Sequence, residues 1–110
     1  MYLTLRNEFG CTEAIIDEDC GLKRFYQVAQ LLTEGLQINF VNKEDELDTL
    51  VWGFRYKNHG LILHYNIYTG ISLYPQQFKA ALKSDNEAVV ELATYLEDRL
   101  FIHTSRKHLS

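Results

Sequence analysis

Arg55, His64 and Tyr74 are the side chains of this chain whose types suit chemistry in concert. A guanidinium binds an anion, an imidazole moves a proton near neutral pH, and a phenol orients either one. The other chemical candidates fail on spacing. His59 and His64 are five apart, so in a strand they point to opposite faces, and His103 and His108 at the same spacing do not share a helical face. No Cys-x-x-Cys or His-Glu-x-x-His pattern occurs, so neither a metal site nor a cofactor is expected. Asp17, Asp19 and Gly21 have the opening of a calcium loop, but the twelfth position is Val28, where a bidentate acid is required. Cys20 stands just ahead of a helix, a place that can activate a thiol. Its only central base is His64, and nothing in the spacing joins them, so Cys11 and Cys20 read as ordinary cysteines. The glycines are scattered and form no phosphate loop. Gly53, inside a strand, marks a bulge or the close approach of another backbone.

Whether Arg55, His64 and Tyr74 meet depends on the strands that carry them. About residues 50–75 hold three alternating runs separated by turn residues. Leu50, Trp52, Phe54 and Tyr56 share one face, as do Leu61, Leu63, Tyr65 and Ile67, and then Ile71 and Leu73. This predicts a three-strand antiparallel meander. The apolar faces must coincide across each pair, because a slip of one residue turns a strand inside out. An even loop at His59-Gly60 sets Phe54 against Tyr65 and Trp52 against Ile67. An odd loop, Tyr68-Thr69-Gly70, sets Ile67 against Ile71 and Tyr65 against Leu73. The opposite face then lines up Arg55, His64 and Tyr74 across three strands, with Asn66 beside Ser72. Tyr68, Ile62, Val51 and Lys57 complete that surface.

The flanking segments supply helices and further strands. Tyr2 to Arg6 and Glu13 to Asp17 read as short strands joined near Gly10. Leu22, Phe25, Ala29, Leu32 and Leu36 form one stripe, predicting a helix over about 22–35 that ends near Gly35. Gln37 to Val41 alternates again, and Asn42 to Asp48 is a polar, acidic loop by composition. A short helix is expected near 76–83, after Pro75. Ser84 and Glu87 have capping-box spacing ahead of a helix over about 85–101 with Val89, Ala93, Leu96 and Leu100 inward. A basic polar tail follows from about 103. The expected fold is α+β, a mostly antiparallel sheet with helices packed on one face, in a single domain spanning 1–110.

Charge and composition narrow the partners. The net charge of −4 argues against nucleic acid, which basic surfaces bind. No apolar stretch approaches the length of a membrane span and no signal peptide opens the chain, so a cytoplasmic protein is expected. The outer face mixes Tyr and Arg with aliphatic groups, a composition favoured in interfaces. The expectation is a non-catalytic interaction protein, using that face for self-association as a homodimer or for a protein partner. In size, charge and element order alone it is similar to secretion chaperones and toxin-neutralising immunity proteins. The alternatives are a small enzyme or ligand-binding protein with its site around Arg55, His64 and Tyr74, and a weak single-stranded nucleic-acid binder that stacks bases on Tyr68 and Tyr74.

Overall fold

The structure, a computed structural model, describes residues 4–8, 10–18, 21–77 and 81–109, with side chains described no further than Leu100. The elements run β1 (Thr4–Glu8), β2 (Cys11–Asp17), α1 (Leu22–Leu36), β3 (Phe40–Asp45), β4 (Thr49–Tyr56), β5 (His59–Asn66), β6 (Gly70–Pro75) and α2 (Lys83–Leu109). The six strands form one antiparallel sheet in the order β1-β2-β6-β5-β4-β3. After the β1–β2 hairpin, α1 carries the chain across the sheet to its far edge. The β3–β6 meander then returns by hairpins until β6 lies beside β2. This is the α+β layout expected from the pattern of runs.

Both helices pack on one face. From α1, Phe25, Val28, Ala29 and Leu32 are buried; α2 adds Val89, Leu92, Ala93, Leu96 and Leu100. They meet the inward positions of the sheet, among them Trp52, Phe54, Leu61, Leu63, Tyr65 and Leu73. The Phe25 ring stands edge-on to Trp52 at 4.9 Å between centroids and lies 5.9 Å from Tyr65. Leu22, placed by periodicity in the stripe, is 44% exposed, and Val28 takes an inward place instead. Gly35 does not end α1. The left-handed residue is Gln37, at φ 56°. At Gly35 a Cβ would land on the Tyr95 hydroxyl of α2, so this glycine keeps room for a neighbour.

The expected face parity holds, while the lateral register moves. The first hairpin turns at Lys57-Asn58, both at positive φ (49° and 68°), as a two-residue turn matching strand twist requires. His59 and Gly60 therefore belong to β5, and Phe54 faces Leu61 while Trp52 faces Leu63. In the second hairpin Asn66 pairs with Gly70, so Tyr65 faces Ile71 and Leu63 faces Leu73. The Asn66 carboxamide oxygen accepts from the Tyr68 N–H at 2.8 Å and holds this turn closed. Ile67 thereby leaves the apolar face and is 47% exposed. Partners shift by four residues in one hairpin and two in the other. Both shifts are even, so no strand is inverted.

The acidic run expected as a loop is largely strand: β3 extends through Asp45. Its charged residues find use against Trp52. Lys43 sits over the indole ring, 4.4 Å from its centroid, and the indole N–H donates to the Asp45 carboxylate at 2.7 Å. A charged edge strand also discourages further strand pairing. Val41 is the extra residue of a bulge opposite the Gly53–Phe54 step, and a Cβ at Gly53 would meet only ordinary contacts at 3.6–3.8 Å, so no steric need for glycine follows there.

No helix is seen in the described part of 76–83 before Lys83: Gln76 and Gln77 form a bend, Ala81 and Leu82 are irregular, and 78–80 lie outside the described residues. The helix that follows begins at Lys83, ahead of the expected Asp85. Asp85, not Ser84 with Glu87, closes its start. Its carboxylate accepts from the Leu82 N–H at 2.9 Å and contacts His59 Nδ1 at 2.7 Å. The Leu82 hydrogen bond and then the His59 contact hold the Asp85 carboxyl below the usual range. Replacing Asp85 with alanine should cost about 1 kcal/mol at pH 7. The folded-state value is the lower one, so this contribution is present above the unfolded-state value. It disappears as pH falls through the folded-state value. Urea unfolding of wild type and Asp85→Ala at pH 7 and pH 3 should show the difference narrowing in acid. The basic segment from 103 continues α2 in its backbone, through Leu109.

Candidate functional site

The face opposite both helices is assembled from alternate residues of all six strands. One row crosses the sheet as Thr4, Ile15, Ser72, His64, Val51 and Glu44, each paired with the next. Two residues along, Tyr74 pairs with Ile62, Ile62 with Gly53 and Gly53 with Asn42. Glu13, paired with Arg6, joins this second row one step along β2 from the Ala14–Leu73 pair. A third row holds Gly60 and Arg55.

The nominated residues other than Lys57 lie on this face or at its rim, but they are not gathered as the sequence suggested. Tyr74 and His64 are neighbours, with ring centroids 5.9 Å apart. Arg55 stands opposite Gly60, two rows from His64, a separation of about 13 Å along the strands. Its guanidinium donates to the Asn58 carbonyl at 2.8 Å. Asn66 is opposite Gly70, not beside Ser72, and its Nδ2 donates to the Thr49 hydroxyl at 3.0 Å. It is occupied with turn and strand contacts. Ser72 is buried directly beside His64. Ile62 lies at the centre, between Tyr74 and Gly53. Tyr68 projects from the β5–β6 turn and is 79% exposed. Lys57 turns toward the helix side, its Nζ 2.6 Å from the Glu91 carboxylate of α2.

Ile15, Glu13 and Arg6 belong to the face and were not foreseen. Ile15 sits in the apolar run Ala14-Ile15-Ile16, where alternation is hidden, and β2 reaches its place only because the meander returns to it. Arg6 and Glu13 form an ion pair at 3.7 Å. A shallow depression of about 300 Å³ lies where β1, β2 and the β5–β6 turn meet, lined by Thr4, Arg6, Ile15, Glu18, Tyr68 and Thr69.

The centre of the face is apolar and uncharged at neutral pH. Burial pushes the His64 imidazole below its ordinary value, partly opposed by Glu13, so the ring is neutral at pH 7. Burial pushes the Tyr74 phenol up, with Glu13 and Cys11 adding to the effect. Ile15, Val51 and Ile62 are half-buried. The surface can bury apolar area and offers a few hydrogen-bonding groups. Among the described residues no guanidinium stands beside the imidazole.

The remaining sequence candidates do not add a second site. Burial first, then Glu13 and Asp85, raise the Cys11 thiol, which keeps it protonated and weakly nucleophilic. Cys20 and Asp19 lie outside the described residues. Asp17 is buried and paired with Arg24 at 3.4 Å. Among the described residues no three His, Cys, Asp or Glu side chains gather as metal ligands would, and no helix is long and apolar enough to cross a membrane. No family model, curated protein or solved structure matches the chain.

Proposed function

We propose that this chain is a non-catalytic, cytoplasmic interaction protein whose outer sheet face docks against protein. One observation carries the reading: Ile15, Tyr74, Ile62 and Val51 form a continuous apolar strip around a neutral His64, on the face that neither helix covers. Contiguous apolar patches of several hundred Å² (roughly) on a folded domain mark partner surfaces. The strip is bordered by charged groups, Arg6 and Glu13 on one side and Glu44 on the other, in the manner of an apolar interface core with a polar rim.

The catalytic alternative is weakened by the distance between Arg55 and His64. A nucleic-acid interface is weakened because Lys57 is turned toward Glu91 and Arg6 is set against Glu13. A photo-crosslinking residue at Ile62, introduced into the full chain in its native cells, tests the reading. It should form a discrete protein adduct, and the same residue at exposed Gln30 on α1 should not. If Ile62 captures nothing beyond what Gln30 captures, the outer face is a solvated sheet surface and the proposal fails.

A further inference from the structure

We propose that the occupant of the outer face is a second copy of this chain, the two sheets packing face to face about a two-fold axis parallel to the strands. This rests on reading the face as a protein interface and names its partner. The argument is self-complementarity. With six strands, the middle of the sheet falls between β6 and β5. An axis running there lays β6 over β5 of the second copy, β2 over β4 and β1 over β3.

The rows described above then decide what meets what. Ile15 lies over Val51 of the second copy, and Tyr74 over its Ile62. Ser72, itself buried, lies over its His64. Each contact occurs twice by symmetry, so Ile15, Val51, Tyr74 and Ile62 all meet apolar groups around the central Ser72 and His64. Charge follows the same pattern. Glu13 lies over Gly53 of the second copy, and Arg55 of that copy is two residues further along the same strand. Arg6 lies over the second copy's Asn42, with its Glu44 two residues away. The face carries Arg6 at one edge and Glu44 at the other, and this axis brings the opposite signs together. The other in-plane axis, across the strands, lays β3 on β3 and sets acid against acid, which electrostatic complementarity disfavours.

The footprint sets the strength. Strand spacing and rise give an area on the order of 500 Å² per copy. Specific stable pairs bury roughly 800 Å² on each side. The dimer is therefore a weak one, populated at high concentration and lost on dilution.

Light scattering on the full chain at a concentration on the order of 100 µM should give twice the 12.9 kDa chain mass. Arg55→Glu and Glu13→Arg should each weaken association about ten-fold, and the combined variant should recover it. Ile62→Asp, which leaves the core untouched, should abolish the dimer while circular dichroism remains that of the wild type. This last variant keeps the test decisive if Glu13→Arg fails to fold. A wild type that stays monomeric at this concentration overturns the two-fold pair. The face reading then stands or falls on the Ile62 cross-link, whose adduct would carry a different partner mass. A dimer indifferent to Ile62→Asp also overturns the proposal, because its contact lies elsewhere.

Discussion

Gly70→Ala should cost about 4 kcal/mol of folding stability, an effect at the upper end for a single methyl group. Gly70 opens β6 at φ +81°, a left-handed conformation that costs a non-glycine residue about 1–2 kcal/mol. The rest is steric. A Cβ at this position would land on the Asp17 carbonyl oxygen and lie within 2.9 Å of its carbon and 2.8 Å of the Glu18 Cα. Those atoms are backbone, held at the end of β2 by the ladder to β6 and by the Asp17–Arg24 pair, so they cannot rotate away. Gly10 is the internal control. It has nearly the same φ, +77°, with nothing within 4 Å of its would-be Cβ. Gly10→Ala should cost only about 1 kcal/mol. Urea unfolding of the two variants against wild type measures the difference. Equal losses would mean that the β2–β6 contact is looser than described and that only the dihedral matters.

Phe25→Ala should be comparably severe, at about 4 kcal/mol. Phe25 is fully buried at the point where α1 meets the sheet. Its ring is edge-on to both Trp52 and Tyr26 and tilted against Tyr65, so truncation forfeits aromatic contacts as well as transfer energy. The cavity would open among strands that cannot close in, because β4 and β5 are fixed by their ladder. Trp52 is the only tryptophan, so its fluorescence reports the packing directly. Phe25→Leu, which refills most of the volume, should lose about 1.5 kcal/mol. A loss below 1 kcal/mol for the alanine variant would show α1 to be peripheral to the core.

Much of this architecture is legible in the residues, and the limits have physical causes. The helix from Leu22 is legible because its stripe repeats with helical period. The inward faces of β4, β5 and β6 are legible because alternation has only two phases. Lateral register is not, because it depends on which residues accept positive φ. Gly60 advertises a turn, whereas the chain turns at Lys57-Asn58 and uses Gly60 within β5. The strand at Phe40–Asp45 is obscured by its own charges, which are retained because Lys43 and Asp45 engage Trp52 from the inward side. For the outer face, the membership of Arg55, His64 and Tyr74 follows from parity alone. Their spacing along the strands does not, and this is why Arg55 is separated from the pair it seemed to join. Ile15 and Glu13 could be assigned only after β2 had a neighbour, which is set by tertiary closure.

That closure gives the molecule an uneven folding problem. Four of the five ladders join strands consecutive in the chain, and each forms by zipping across a short turn. The fifth, between β2 and β6, brings Ala14 to Leu73 and must close over α1 and the whole meander at once. Loop-closure entropy is concentrated in that one seam, and non-local pairings of this kind govern the rate at which a sheet folds. The β3–β6 ribbon can form early while the β1–β2 hairpin waits, so loop-closure entropy makes the seam beside Gly70 the last part of the sheet to set.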